Sequence, residues 1–499
     1  MAQTKKNNAL LLAAWLKEVF FTRRMNSVPG LVVMVLVGIA LAWSGTISEK
    51  LPLIIAVGSV AVLFVLVCLN YPELAYYAYI YSVIIFTLPS RVFGINIPLN
   101  FVIEPTGYLA VISIMAAQSR KRQNSADFWK TPISIMILLL FCSYLLQAFN
   151  PEINGREGWF KFFRKEIIYL CFYHVSFLML DSLEKIRRFV KLWIILAVIV
   201  ALWGFRQQWL GFTQFEDAWV HSDPNITTLL FQGGLFRKFS LLSDPAAFGV
   251  MAVSSSLFTL VLAIRTPIKK RKKLLYAISI LLMVSSSYSG TRTCNVMLIG
   301  GLLSYIVFTL NEKRTVVVLI SSIVISVFLL FGPLKHSPVI FRIKTTFDGS
   351  KDPSNMVRDM NRKNIQPYIW QRPIGGGLNT CGEEGNMYYP GHRLAGYPPD
   401  SGYMKIMLEQ GWVGLALNIL LYFFILHKGV TGFYDSRREE IKTYYIAFLV
   451  AFFSLVVGQY SQLAISQYPT YLFYLATLVI FYKLKEYDKR NPKKIETNF

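Results

Sequence analysis

Residues 241–273 read LLSDPAAFGVMAVSSSLFTLVLAIRTPIKKRKK. The run 241–264 is apolar apart from Asp244 and a few small hydroxyls, and as a helix it is long enough to cross the ~30 Å hydrocarbon layer of a bilayer. It is followed at once by Arg265, Lys269, Lys270, Arg271, Lys272 and Lys273. An apolar run stopped by a basic block reads as a transmembrane helix with the block on the cytoplasmic side. The same pattern recurs in both directions from this stretch. Further runs fall near 31–44, 51–69, 73–90, 104–118, 132–148, 166–180 and 190–210, then near 274–288, 294–310, 315–333, 402–426, 443–460 and 465–483. The predicted fold is an all-α polytopic membrane protein with about 12–14 transmembrane helices.

Composition agrees. Hydrophobic residues make up 54% of the 499 and charged residues 16%, against about 45–50% and about 25% in soluble domains. Mean hydropathy is +0.45. Soluble enzymes, disordered chains and fibrous repeats are excluded. The excess of 51 Lys and Arg over 28 Asp and Glu would suggest nucleic acid in a soluble protein; here its use is topological, and no nucleic-acid partner is expected. Basic clusters lie at Lys5 to Arg24, Arg120 to Lys130, Lys185 to Lys191, Arg265 to Lys273, Lys313-Arg314, Lys428 to Lys442 and Lys483 to Lys494. All fall on one side if the spans alternate, which places both termini in the cytoplasm. Residues 8–22 read as an amphipathic surface helix rather than a cleavable signal. Residues 149–165, 211–240 and a long loop, 334–401, are then outside. The five cysteines, of which only Cys381 lies in a long polar loop, have no disulfide or metal-ligand spacing.

The long outer loop carries nine cations against six carboxylates. A loop of that length is usually functional or disordered, and one that stays cationic outside suggests an anionic ligand, a solvated connection being the plain alternative. Arg358 and Arg362 are four apart on an expected helix from about Met356, so they share a face. They could grip a diphosphate through forked donors or lie on lipid headgroups. Pro367 is expected to bend or end that helix. In Arg372-Pro373-Ile374-Gly375-Gly376-Gly377 the glycines permit positive φ and close backbone approach to a ligand, or simply a tight turn. Asp400 stands where the loop returns to the membrane. There Asp400 or Ser401 could cap the next helix, or Asp400 could act as a general base at a half-dry interface. His392 is the alternative base. Arg292 in the hairpin Tyr288-Ser289-Gly290-Thr291-Arg292-Thr293 is either functional or snorkels to headgroups. Arg237 precedes Asp244-Pro245, which could be only a helix start. Trp219, Trp370, Tyr388, Tyr389 and Tyr397 could stack on sugars or anchor the interface. The outer acidic pairs are Glu216-Asp217 and Glu383-Glu384. The first outer loop has only Glu49, which speaks against a metal-dependent transferase of the kind that keeps its acids there.

Four stretches carry a family likeness: RKFSLLSDPAAFG (237–249), SGTRT (289–293), RDMNRKNIQPYIWQRPIGGG (358–377) and DSGYMKIMLEQGWVG (400–414). In order and spacing, including an Arg followed fifteen residues later by Pro and then Gly-x-Gly, the chain resembles the O-antigen ligase and Wzy-type polymerase superfamily. These are membrane glycosyltransferases with a GT-C-like architecture and one long periplasmic loop containing short helices. The resemblance divides the chain into a cytoplasmic amphipathic N-terminus (1–30), an N-terminal transmembrane bundle (31–240), the transmembrane part of the ligase/polymerase-like domain (241–333), a periplasmic catalytic loop (334–401), C-terminal helices (402–483) and a basic cytoplasmic tail (484–499). It implies a multi-pass protein of the bacterial inner membrane with its active site on the periplasmic side. It implies Arg292 and Arg358 as holders of the donor diphosphate, supported by Arg362 or Arg237, and Asp400 where ligases usually have a catalytic histidine. Asp there looks more like the polymerases. The expected reaction is metal-independent, inverting transfer from an undecaprenyl-diphosphate-linked glycan to an acceptor glycan, either a lipid-linked repeat or lipid A core, with no cofactor. Membrane lipids and a chain-length regulator are the other expected partners. Transfer to a protein hydroxyl is a further variant. A transporter or flippase of lipid-linked glycan is the alternative of a different class. It would show internal repeats and mid-membrane ionisable residues, whereas the spans read as almost free of acids apart from Glu104.

Overall fold

The computed structural model describes scattered residues between 28 and 46, then 51–93, 100–118, 126–232, 234–331, 353–399 and 401–490. The chain forms two compact units, Met1–Tyr71 and Pro72–Phe499. In the first, helix α1 (Leu51–Asn70) is described. Its residues Val60, Val62, Leu63 and Leu66 are exposed.

The second unit is a helical bundle. Its long helices are α2 (Pro72–Ile85), α3 (Asn100–Gln118), α4 (Pro132–Leu146), α5 (Glu157–Met179), α6 (Leu183–Trp209), α7 (Pro245–Arg265), α8 (Lys269–Tyr288), α9 (Thr293–Phe308) and α10 (Lys313–Phe331). The long loop contributes α11 (Pro353–Gln371) and the short α12 (Gly382–Tyr388), and α13 (Gly402–Asp435), α14 (Glu439–Gly458) and α15 (Thr470–Arg490) complete the bundle. The only strands among the described residues are a two-residue antiparallel hairpin, Phe231–Gln232 with Leu235–Phe236.

Among the described residues five helices, 132–149, α6, α7, α13 and α14, are long and apolar enough to cross a membrane. The interior is built on α7, which packs on α8, α9 and α14 and buries nearly its whole length. Helices at the periphery instead turn branched aliphatics outward, such as Ile195, Ile199 and Leu202 on α6 and Val316, Ile320 and Ile323 on α10. A soluble protein rarely exposes patches of this extent; in a bilayer they face acyl chains. The chain is an all-α, multi-pass membrane protein.

Local chemistry starts the helices where the pattern changes. Asp244 does act as a helix start: its carboxylate accepts from Ala246 N (2.9 Å) and Ala247 N (3.0 Å), with Pro245 in the first turn. Ser401 caps α13, its Oγ accepting from Met404 N at 3.4 Å. Pro367 does not end α11, which runs through it to Gln371. Pro367 lies on the exposed side, while Ile365, Tyr368 and Ile369 are buried with Cys381, Leu394 and Leu408. Packing overrides the lost backbone bond. The expectation of acid-free spans is also corrected. Glu104 pairs with Arg164 of α5 at 3.0 Å, but Glu166 lies inside α5 and Glu409 inside α13.

Candidate functional site

The hairpin between α8 and α9 is held from the preceding outer segment. Arg237 donates through Nε to Ser289 O (2.9 Å) and through a terminal nitrogen to Thr291 Oγ1 (2.9 Å). Lys238 N donates to Tyr288 O (3.0 Å). Two stretches some fifty residues apart in sequence are thereby joined, with Arg292 in the turn beside them. Gly290 takes a φ of +61° to close it.

The hairpin meets a second turn, between α14 and α15. Thr293 Oγ1 and Ser461 Oγ share a hydrogen bond of 2.8 Å. One residue earlier in that turn, Tyr460 accepts from Arg362 Nη1 at 3.3 Å and offers its ring to the guanidinium at 5.1 Å. Gln459 O accepts from Gly402 N (2.9 Å) and Ser401 Oγ (3.1 Å). Residues 459–462 therefore gather the hairpin, α11 and the start of α13.

Below this turn α13 is broken. Gly411 has φ 68° and ψ −164°, which interrupts the helix ladder. The carbonyls freed by the break cannot be left bare in a membrane. The triple glycine supplies their partners: Gly376 N donates to Leu408 O (2.8 Å) and Gly377 N to Glu409 O (3.0 Å). Gly375 sits at φ 78°, and a Cβ there would lie 2.5 Å from Gly411 N. Gln147 Nε2 and Asn150 Nδ2 clamp the loop from the other side through Ile374 O (2.7 Å) and Gly375 O (3.0 Å). The glycines thus approach a broken helix, and the ligand-cradle alternative is not what their backbone contacts serve.

Between α4, α5, α13 and α15 lies a cavity of about 440 Å³. Gly402 and Gln459 form part of its wall, so it backs onto the turn just described. Its ionisable groups are Lys165, Glu166, Glu384, Lys405 and Glu409. Lys405 bridges Glu384 (3.2 Å) and Glu409 (3.9 Å). Burial alone would raise the Glu384 carboxyl, but the ammonium groups of Lys405, Lys165 and Lys161 outweigh it and hold the carboxyl below its usual range. No hydrogen bond or ion pair engages the Glu166 carboxylate among the described residues.

Residues 277–419 match the family model described as O-antigen ligase. That stretch is similar to the O-antigen ligase family. It runs from α8 through the hairpin, α9, α10, the long loop and the upper half of α13. Comparison with curated proteins gives no match. The match supports a glycosyltransferase-like, glycan-processing role in the membrane.

Around the matched stretch the residues singled out from sequence separate. Arg362 touches the 459–462 turn, Arg292 stands one residue before Thr293, which bonds Ser461 of that turn, and Arg237, outside the matched stretch, braces the hairpin. Arg358 lies in α11, its side chain outside the described residues, and Asp400 is also outside them. His392 belongs elsewhere: its Nδ1 accepts from Leu394 N (3.1 Å), and its ring stands edge-on to Tyr368. Burial lowers its proton affinity, helped by Arg372 and opposed by Glu152. Glu216 is structural, accepting from Thr213 N (2.8 Å), Trp203 Nε1 (2.8 Å) and Gln207 Nε2 (2.7 Å). Sequence reading missed the Gln459–Gln462 turn and Glu166. The signals were there: a Gln-rich segment, GQYSQLAISQ (458–467), between two apolar spans, and an acid within a span.

Proposed function

We propose that the chain transfers a glycan from an undecaprenyl-diphosphate carrier to an acceptor sugar hydroxyl on the periplasmic side, as a polymerase of surface-polysaccharide repeat units. The observation that carries this reading is the convergence of the Arg292 hairpin, the Arg362 helix and the start of α13 on residues 459–462. Arginine-bearing segments that meet at one turn suit a leaving diphosphate, whose negative charge grows as its bond to the sugar breaks. In the proposed step the acceptor oxygen attacks the anomeric carbon while the carbon–oxygen bond to the diphosphate breaks. The bonding electrons leave with the diphosphate oxygen, and Asp400, which precedes the capping Ser401, takes the hydroxyl proton. Displacement from the opposite face inverts the anomeric centre. The step calls on neither metal nor nucleotide sugar.

The family description favours a second reading, a ligase that moves finished glycan to lipid A core. One gel assay separates the two. Purified protein in EDTA with the lipid-linked repeat unit alone should give a ladder of longer lipid-linked products. Transfer only after lipid A core is added would establish the ligase, and no transfer to either would reject both. Replacing Arg292 by Ala should lower turnover about 100-fold or more, the usual cost of removing one donor to a developing charge. A wild-type rate in Arg292→Ala would remove the diphosphate role.

A further inference from the structure

The 440 Å³ cavity and the arginine-bearing segments share one turn. Gln459 contributes to the cavity wall, while Tyr460 and Ser461, next in the chain, hold Arg362 and the Arg292 hairpin. The cavity and those segments differ in chemistry. No arginine lines the cavity, and its three carboxylates outnumber its two lysines, one of which is already engaged by Glu384 and Glu409. The cavity therefore offers a diphosphate no forked guanidinium donors. The unused polar capacity is of another kind. Gln410 Oε1 and Gln467 Oε1 are buried without a hydrogen-bond partner, and the Glu166 carboxylate faces the same space. A buried acceptor left unpaired is costly, so these oxygens await donors. Tyr144, Tyr169, Tyr422, Tyr471 and Tyr474 supply flat apolar faces around them. Hydroxyl-accepting oxygens set among aromatic faces match an uncharged, hydroxyl-rich ring, and the volume is within the ~300–1,000 Å³ of small-molecule pockets.

We infer that this cavity is the acceptor-sugar subsite, with Glu166, Gln410 and Gln467 accepting hydroxyl protons in hydrogen bonds. The donor diphosphate stays with the arginine-bearing segments at the 459–462 turn. This assignment rests on the proposed transfer reaction for its role but not for its ligand. An acceptor ring in the cavity reaches the donor past Gln459 and past Gly402, which is two residues after Asp400 in sequence. It also gives α4 and α5, outside the family-matched stretch, a direct part in choosing the acceptor.

The test uses the full chain in detergent and, as probe, the repeat-unit oligosaccharide released by mild acid from the lipid-linked pool of the native cell. Saturation-transfer NMR reads sugar protons that touch the protein without needing turnover. The wild type should give signals. Gln467→Leu and Glu166→Gln, both close to isosteric, should each weaken binding about tenfold, the worth of one good hydrogen bond, while Arg292→Ala should keep it. In the transfer assay the same two variants should raise the acceptor KM about tenfold and leave the donor KM within about twofold. Two variants on different elements, α5 and the turn before α15, guard against misfolding of one, and elution on size exclusion checks both. Absence of signal in the wild type, or wild-type binding in both variants, overturns the subsite. A raised donor KM with an unchanged acceptor KM would reassign the cavity to the donor. Binding that follows the cavity in a protein with no transfer activity would keep the subsite and reject the reaction.

Discussion

A single side chain can support a catalytic and a structural reading at once, and His392 is the clearest case. Its ring is held edge-on to Tyr368, and its Nδ1 is occupied by a backbone N–H. Burial disfavours its charged form, so its proton affinity lies below the ordinary value of 6.5. The unfolded chain then binds the proton more readily than the folded one, and stability rises with pH through this window. The melting temperature in detergent should be lower at about pH 5 than at about pH 8, and His392→Gln should flatten part of that slope. Equal slopes in the two proteins would place the titrating group elsewhere. Glu384, also held below its usual range, acts with the same sign at still lower pH. Nothing at the sequence level separated His392 from a base. Its Nδ1 accepts from the backbone N–H of Leu394, two residues on, through a turn no spacing rule encodes.

The helix α13 shows how an element can be discontinuous in backbone and continuous in sequence pattern. From residue 402 to 426 the apolar run predicted one span, and the capping by Ser401 was readable because hydroxyls favour that position. The break at Gly411 was not. Glycine inside a helix pattern is common, and the partners that make a break tolerable come from residues 373–377, outside the helix. Gly411→Ala should be costly on two counts. Its φ of 68° disfavours a side chain, and the new Cβ would lie 2.5 Å from Gly375 N. A loss of about 1–3 kcal/mol follows from overpacking alone, read as a lower melting temperature. Gly391→Ala, with nothing within 4 Å of its Cβ, should change little. Equal stability of the two variants would mean that the clamp on the broken helix carries no weight.

For the whole molecule, hydropathy and basic clusters determined the class of fold because a bilayer enforces both. They were silent on the interior, where α7 is surrounded by protein and α6 or α10 faces outward with a similar apolar composition. The proposed topology puts the cavity mouth and the 459–462 turn outside. A reporter active only in the cytoplasm should give signal when fused after Glu312 or at the C-terminus, and none after Gly391. Signal from the Gly391 fusion would invert the membrane orientation and with it the periplasmic reading. The candidate site was half legible. Residues 237–249 and 289–293 drew attention by motif, whereas α4, α5 and the last turn entered only through three-dimensional packing.

That last turn bears on how such proteins are identified. The stretch 277–419 is enough for the family to be recognised, yet the anchor for its hairpin, its α11 and the start of its α13 lies at residues 459–462. A fragment of this chain ending near residue 419 would keep the matched stretch while lacking the turn that joins its hairpin, its α11 and its α13. In this chain the diagnostic signature and the packed assembly are different objects.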